Sequence, residues 1–193
     1  VNVLGRKGVM SLVYSEGAEK LMKARYGSEL DEVWRHSAHC AQYAQRLAKS
    51  SKLQNLADEA FLAGILHDLG RLVVRAAEPK VAHRIDAFAK SKGMRVNILE
   101  AIALGASHAQ VGAAVARHWN IPDEIVAAIR YHHSPRLAPD EFRNIVCLVY
   151  VANAFCDIEA GVLNIALLDR MALRTLGVAD IEGARALHKK IQS

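Results

Sequence analysis

From Glu141 to Gly161 the chain reads EFRNIVCLVYVANAFCDIEAG, apolar on nearly every side of a 3.6-residue period. A helix without a polar face needs neighbours all round, so this stretch predicts a central helix wrapped by others. The rest of the chain supplies them. Asp31 is placed to cap a helix running to about Ser50, with Val33, Cys40, Ala44, Leu47 and Ala48 along its inner side. Asp58 opens DEAFLAGILHDLGRLVVRAA, which reads as one continuous helix. Pro79 suits the first turn of a helix through Val81–Ala89 that Lys92-Gly93 ends. NILEAIAL stops near Gly105, Ser107 precedes HAQVGAAVARHW, and Pro122 opens PDEIVAAIRYHH. Pro135 and Pro139 bracket a loop before the central helix; LNIALLDRMALRTLG and ADIEGARALHKKIQS follow it as two more helices. Trp119 is expected to be buried on this pattern. No alternating run is flanked by hairpin turns, no repeat or linker interrupts the chain, and Gly-rich phosphate-binding patterns are absent. The expected fold class is all-α, a single helical bundle forming one domain over residues 1–193.

Length and composition agree with that expectation. With 193 residues and 52% hydrophobic content the chain can bury a sizeable core. No apolar run reaches the ~18 residues needed to span a bilayer. The N-terminal segment is broken by Gly5, Arg6 and Lys7, unlike a signal peptide. Cys40, Cys147 and Cys156 have no metal-type spacing and read as reduced core thiols of a cytoplasmic protein. The net charge of +5 is local. Arg71, Arg75, Lys80, Arg84, Lys90, Lys92 and Arg95 face only Glu78 and Asp86 in that stretch, so it is either a phosphate-attracting flank or a solvated helix face.

The histidines carry the chemistry. Nine occur, and several fall where a cation would need them. His36 lies one turn after Glu32 on a predicted helix, so the two share a face. His67-Asp68 interrupts an apolar helix, where an unpaired carboxylate would be costly. His108 follows a Gly-Ala-Ser turn near a helix start, and His132-His133 close another helix. Imidazoles and carboxylates suit iron, manganese, zinc or nickel, and five to seven such groups from four helices suffice for one or two ions. His39, three residues from His36, competes with it as the inward-facing ligand. His39, like His83, His118 and His188, is nonetheless expected to be solvated or singly hydrogen-bonded.

In order, Trp34-x-His36, EAFLAGILHDLGRLV (59–73), Glu100 with LGASHAQVGAAVARHWNIP (104–122), and AIRYHHSP (128–135) resemble the HDOD domain. That domain is the HD-related output domain of bacterial signal-transduction proteins and a relative of the HD and HD-GYP phosphohydrolases. The opening VNVLGRKGVMSLV resembles the middle of such a domain, which implies that helices normally found upstream are absent from this chain. The resemblance implies an HD-superfamily helical fold around a metal centre. It assigns His36, His67, Asp68, His108, His132 and His133 as ligands, with Glu32 as an acidic ligand one turn before the first histidine. Catalytic members end the set with an Asp on the late buried helix. Asn153 stands at the best-matching position, and Asp157 matches only if the helix register shifts.

Two functions follow from this resemblance. The first is a regulatory output module that binds a signalling protein or a phosphorylated small molecule, with the metal cluster retained. The second is metal-dependent phosphoester hydrolysis, with cations bridged by Asp68 activating a water. Arg71, where catalytic relatives carry Lys, is then either a phosphate contact or a surface ion pair. HHSPRLAPDEF stands where cyclic di-GMP phosphodiesterases resemble HHExxDGxGYP, which argues against that activity. The basic stretch lacks a nucleic-acid docking motif, so nucleic acid is not an expected partner.

Overall fold

The computed structural model describes residues 28–192. The LG-containing opening segment lies outside them. The described residues form ten α-helices joined by short turns, with no strand among them. In order they are α1 (Ser28–Lys49), α2 (Ala57–Leu66), α3 (Leu69–Ala77), α4 (Pro79–Lys92), α5 (Val96–Leu104), α6 (His108–His118), α7 (Asp123–Tyr131), α8 (Arg143–Glu159), α9 (Arg170–Thr175) and α10 (Ile181–Gln192). Short 3₁₀ turns at Gln54–Leu56, Pro135–Leu137, Asp140–Phe142 and Ile165–Leu167 make the remaining connections.

The all-apolar stretch is α8, and it occupies the middle of the bundle. It packs on α1, α2, α7 and α9, and Leu148, Val149, Val151 and Phe155 are fully buried. Each such side chain withdraws enough apolar surface to contribute about 1.5–3 kcal/mol. Cys40, Cys147 and Cys156 are buried and unpaired. No single helix among the described residues is long and apolar enough to cross a membrane.

Two glycine contacts set the helix spacing. A Cβ on Gly64 of α2 would stand 2.5 Å from the Ala41 Cα of α1. A Cβ on Gly70 of α3 would lie 1.9 Å from the His108 carbonyl oxygen, and one on Gly112 would lie 2.8 Å from the Gly70 nitrogen. The α3 and α6 backbones thus touch at the residues that flank Asp68 and His108.

Several boundaries differ from the sequence reading. The described part of α1 already includes Ser28–Leu30, so Asp31 lies inside the helix rather than at its cap. The stretch read as one helix from Asp58 is two, α2 and α3, broken at His67-Asp68. The His67 ring Nδ1–H donates to the Gly64 carbonyl at 2.7 Å, the acceptor that the Asp68 N–H would use in a continuous helix. LNIALLDRMALRTLG is a 3₁₀ turn and the six-residue α9, because Asp169 accepts from the Met171 and Ala172 N–H groups and starts the helix late. Trp119 follows the end of α6 and is 46% exposed, not buried. The cap at Ser107 is as read, strengthened by a capping box with Gln110.

Candidate metal centre

Asp68 lies where α2 breaks and α3 begins, 4% exposed, with its two oxygens aimed at different histidines. Oδ2 is 3.6 Å from His67 Nε2 and 3.9 Å from His36 Nε2. Oδ1 is 3.3 Å from His108 Nε2 and 3.7 Å from His132 Nε2. Two groups result, His36/His67/Asp68 and His108/His132/His133, each with its ligand atoms all within 4.8 Å of one another. Donors that share one ion at about 2.1 Å from it stand about 3–3.5 Å apart, and the Asp68 oxygens, 3.3 to 3.9 Å from four imidazole nitrogens, need only a small contraction to reach that spacing.

Hydrogen bonds behind the rings fix which nitrogen faces inward. His67 Nδ1–H donates to the Gly64 carbonyl, and His132 Nδ1–H donates to the Ile129 carbonyl at 2.7 Å. Each neutral ring therefore turns an Nε2 lone pair into the cluster. Those two Nε2 atoms are buried and have no hydrogen-bond partner. A buried acceptor without a donor costs free energy that a Lewis acid would recover. Burial drives the His67 imidazole down to about 4 and His132 well below its ordinary value. Burial and the neighbouring His108 drive His133 to about 3. These three rings are neutral, as metal ligation requires. Burial alone would raise the Asp68 carboxyl, but His67, Arg71, His108 and His132 together hold it well below the usual range.

His108 begins α6, and its orientation comes from α5. Its Nδ1–H donates to Glu100 Oε2 at 2.5 Å, and its backbone N–H donates to the same oxygen at 2.7 Å. Its Nε2 lies 2.9 Å from His133 Nε2. The carboxylate behind a ligand imidazole sets its tautomer and raises its basicity. Sequence reasoning gave Glu100 no such role. The available signal was one acid, eight residues before His108, in a helix whose only other polar residue is Asn97.

The remaining candidates separate clearly. His36, not His39, turns toward Asp68. His39 instead faces Glu159 at 3.7 Å, which also takes bonds from Tyr43 and His188. Asn153, buried on α8, places Oδ1 2.8 Å from His36 Nε2 and so joins the rim of the first group. Asp157 is one turn along; burial raises its carboxyl, and the fields of His36 and Asp68 reach it. Glu32 is exposed and belongs to neither group. Arg71 reaches Asp68 Oδ2 at 3.4 Å and Asp86 Oδ1 at 3.6 Å, so its guanidinium is held between two carboxylates. Asp86 also accepts from Arg75 at 2.6 Å, which neutralises part of the basic stretch. His83 and His118 are exposed.

A family model for the HDOD domain matches residues 1–135. The chain belongs to the HDOD family. This HDOD chain is 29% identical over 153 residues to an uncharacterized protein of Treponema pallidum (strain Nichols), covering 79% of its own length and 30% of that relative. It thus spans under a third of the relative. Solved structures with the same fold include an HDOD domain protein of Geobacter sulfurreducens (TM-score 0.70, 20% identity, 96% of this chain and 68% of that one). A Shewanella amazonensis SB2B protein designated a candidate phosphohydrolase aligns with a TM-score of 0.65 at 24% identity, over 98% of this chain and 76% of that one. A response regulator of Methylococcus capsulatus str. Bath aligns at 0.58 and 20% identity, over 83% and 61%. At these identities the likeness concerns the HD-type helical fold.

Proposed function

We propose that this HDOD domain is a signal-transduction output module whose Asp68 cluster holds one or two divalent cations and recognises a phosphorylated small molecule or signalling protein. The observation that carries this reading is the pair of buried, unpartnered Nε2 lone pairs on His67 and His132, with Asp68 between them. His36, His67 and Asp68 would hold one ion, with Asn153 beside them. His108, His132 and His133 would hold the other, with Asp68 shared. Five imidazoles, one amide and one carboxylate leave two dications largely uncompensated, which favours an anionic ligand. When bound, the ions supply Lewis acidity toward phosphoryl oxygens.

The chain's own groups do the positioning. Glu100 orients His108, the Gly64 and Ile129 carbonyls orient His67 and His132, and Arg71 steadies Asp68. Elemental analysis of protein loaded with manganese or zinc tests the reading. At least one ion per chain, and phosphate-dependent thermal stabilisation of the loaded form only, are the expected results. Less than about a tenth of an ion per chain would remove the metal from the account.

A second reading is a metal-dependent phosphohydrolase. It is favoured by the sharing of Asp68 between both ligand groups, the arrangement a two-metal clamp needs. The neutral Asn153 and the engagement of Arg71 by Asp86 weigh toward the binding module. Turnover of phosphomonoesters, nucleotides or cyclic dinucleotides that disappears in Asp68→Asn, with the fold intact, would establish hydrolysis instead.

A further inference from the structure

α5 is built inside out. Its one charged residue, Glu100, is buried against His108, while Ile98 and Ile102, one turn apart on the other side, are 46% and 76% exposed. Phe88 and Met94, just upstream, are exposed as well. Half of the large apolar side chains that stand exposed among the described residues therefore lie between 88 and 102. Within this stretch of chain the exposed charges are cationic. From Ala87 to Pro122 the only acid is Glu100, which is buried, whereas Lys90 and Lys92 in the last turn of α4 and Arg95 just before α5 are exposed.

We propose that the outer face of α5 is a docking surface for an acidic amphipathic helix of a partner protein. Ile98 and Ile102 form an i, i+4 ridge that packs into the groove of another helix, and the flanking cations select carboxylates at its rim. A second copy of this chain is disfavoured. A two-fold contact through this face would bring two copies of the same cationic rim into one interface, with no exposed acid between Ala87 and Pro122 to pair with it. Docking is also linked to the Asp68 cluster, because an occupant that moves α5 moves Glu100 and hence His108. Only this linkage rests on the metal reading given above.

The test uses the full chain and a synthetic helical peptide with leucines on one face and glutamates beside them, with a lysine-for-glutamate twin as control. Fluorescence anisotropy is expected to show saturable binding of the acidic peptide, and at least tenfold weaker binding of the twin. Ile102→Glu, and separately Lys92→Glu with Arg95→Glu, each weaken the acidic peptide at least tenfold while the far-ultraviolet circular dichroism is unchanged. Equal binding of both peptides, no binding, or binding indifferent to Ile102→Glu overturns the proposal. Binding to phosphatidylserine vesicles in place of the peptide assigns the face to a membrane, and self-association lost in Ile102→Glu assigns it to a second copy; either replaces the proposal. Manganese affinity measured with and without the peptide reads the linkage. A shift of about threefold or more supports it, and no shift in a metal-binding protein removes the linkage while leaving the docking face in place.

Discussion

A single oxygen of Glu100 accepts both the backbone N–H and the ring Nδ1–H of His108, so one carboxylate starts α6 and aims its first side chain. Glu100→Gln keeps the shape but loses the charge behind the imidazole. Metal affinity is expected to fall about 10–100-fold with the fold retained. A chelator competition titration checks this; unchanged affinity would make Glu100 a helix cap only.

Asp68 faces both ligand groups, so its loss affects both. Asp68→Ala and His67→Ala are each expected to reduce bound metal at least tenfold, while His83→Ala, at an exposed position, leaves it unchanged. Elemental analysis of the purified variants measures this directly. Strong metal loss in His83→Ala would mean the ions sit elsewhere.

Gly70 and Gly112 let α3 and α6 touch backbone to backbone. Gly70→Ala puts a methyl group onto the His108 carbonyl, which cannot withdraw without parting the helices. The expected cost is about 3 kcal/mol. Urea unfolding gives the value, and metal affinity falls with it because Asp68 and His108 separate.

Trp119 is half exposed beyond the end of α6. Trp119→Ala is therefore expected to change stability by only about 0.5 kcal/mol, not the ~3–5 kcal/mol of a buried tryptophan. A thermal melt distinguishes the two.

Asp169 carries a pH-dependent contribution. Partial burial raises its carboxyl, but Arg136 and the N–H groups of Met171 and Ala172 hold it below its ordinary value. A depressed folded-state value stabilises above the unfolded pKa of about 3.9, and that stability is lost as pH falls through the folded value. Asp169→Asn keeps the cap but not the ion pair. Its urea midpoint is expected to lie below that of the parent protein at pH 7, with the gap narrowing from about pH 4 downward.

Most helices were legible because Gly, Ser and Pro punctuate them. Gly93 and Gly105 take left-handed backbone at the ends of α4 and α5, and Ser107 caps α6. The break at His67-Asp68 was not legible, since it depends on a ring nitrogen taking a backbone acceptor rather than on a helix breaker. Spacing alone did not separate His36 from His39, because the two differ by less than one turn. Their roles are set by Glu159, more than a hundred residues away in sequence, which draws His39 aside. Glu100 is visible in the family pattern, but its role is not, because an isolated acid in an apolar helix ordinarily marks its solvent side, and here the polarity of the helix is reversed.

Anomalous scattering from crystals grown with manganese shows whether the Asp68 cluster binds an ion. The expected density is enclosed by His36, His67 and Asp68, by His108, His132 and His133, or lies in both places, with Asp68 in contact. Density confined to other parts of the molecule, or none at full manganese loading, would contradict that assignment.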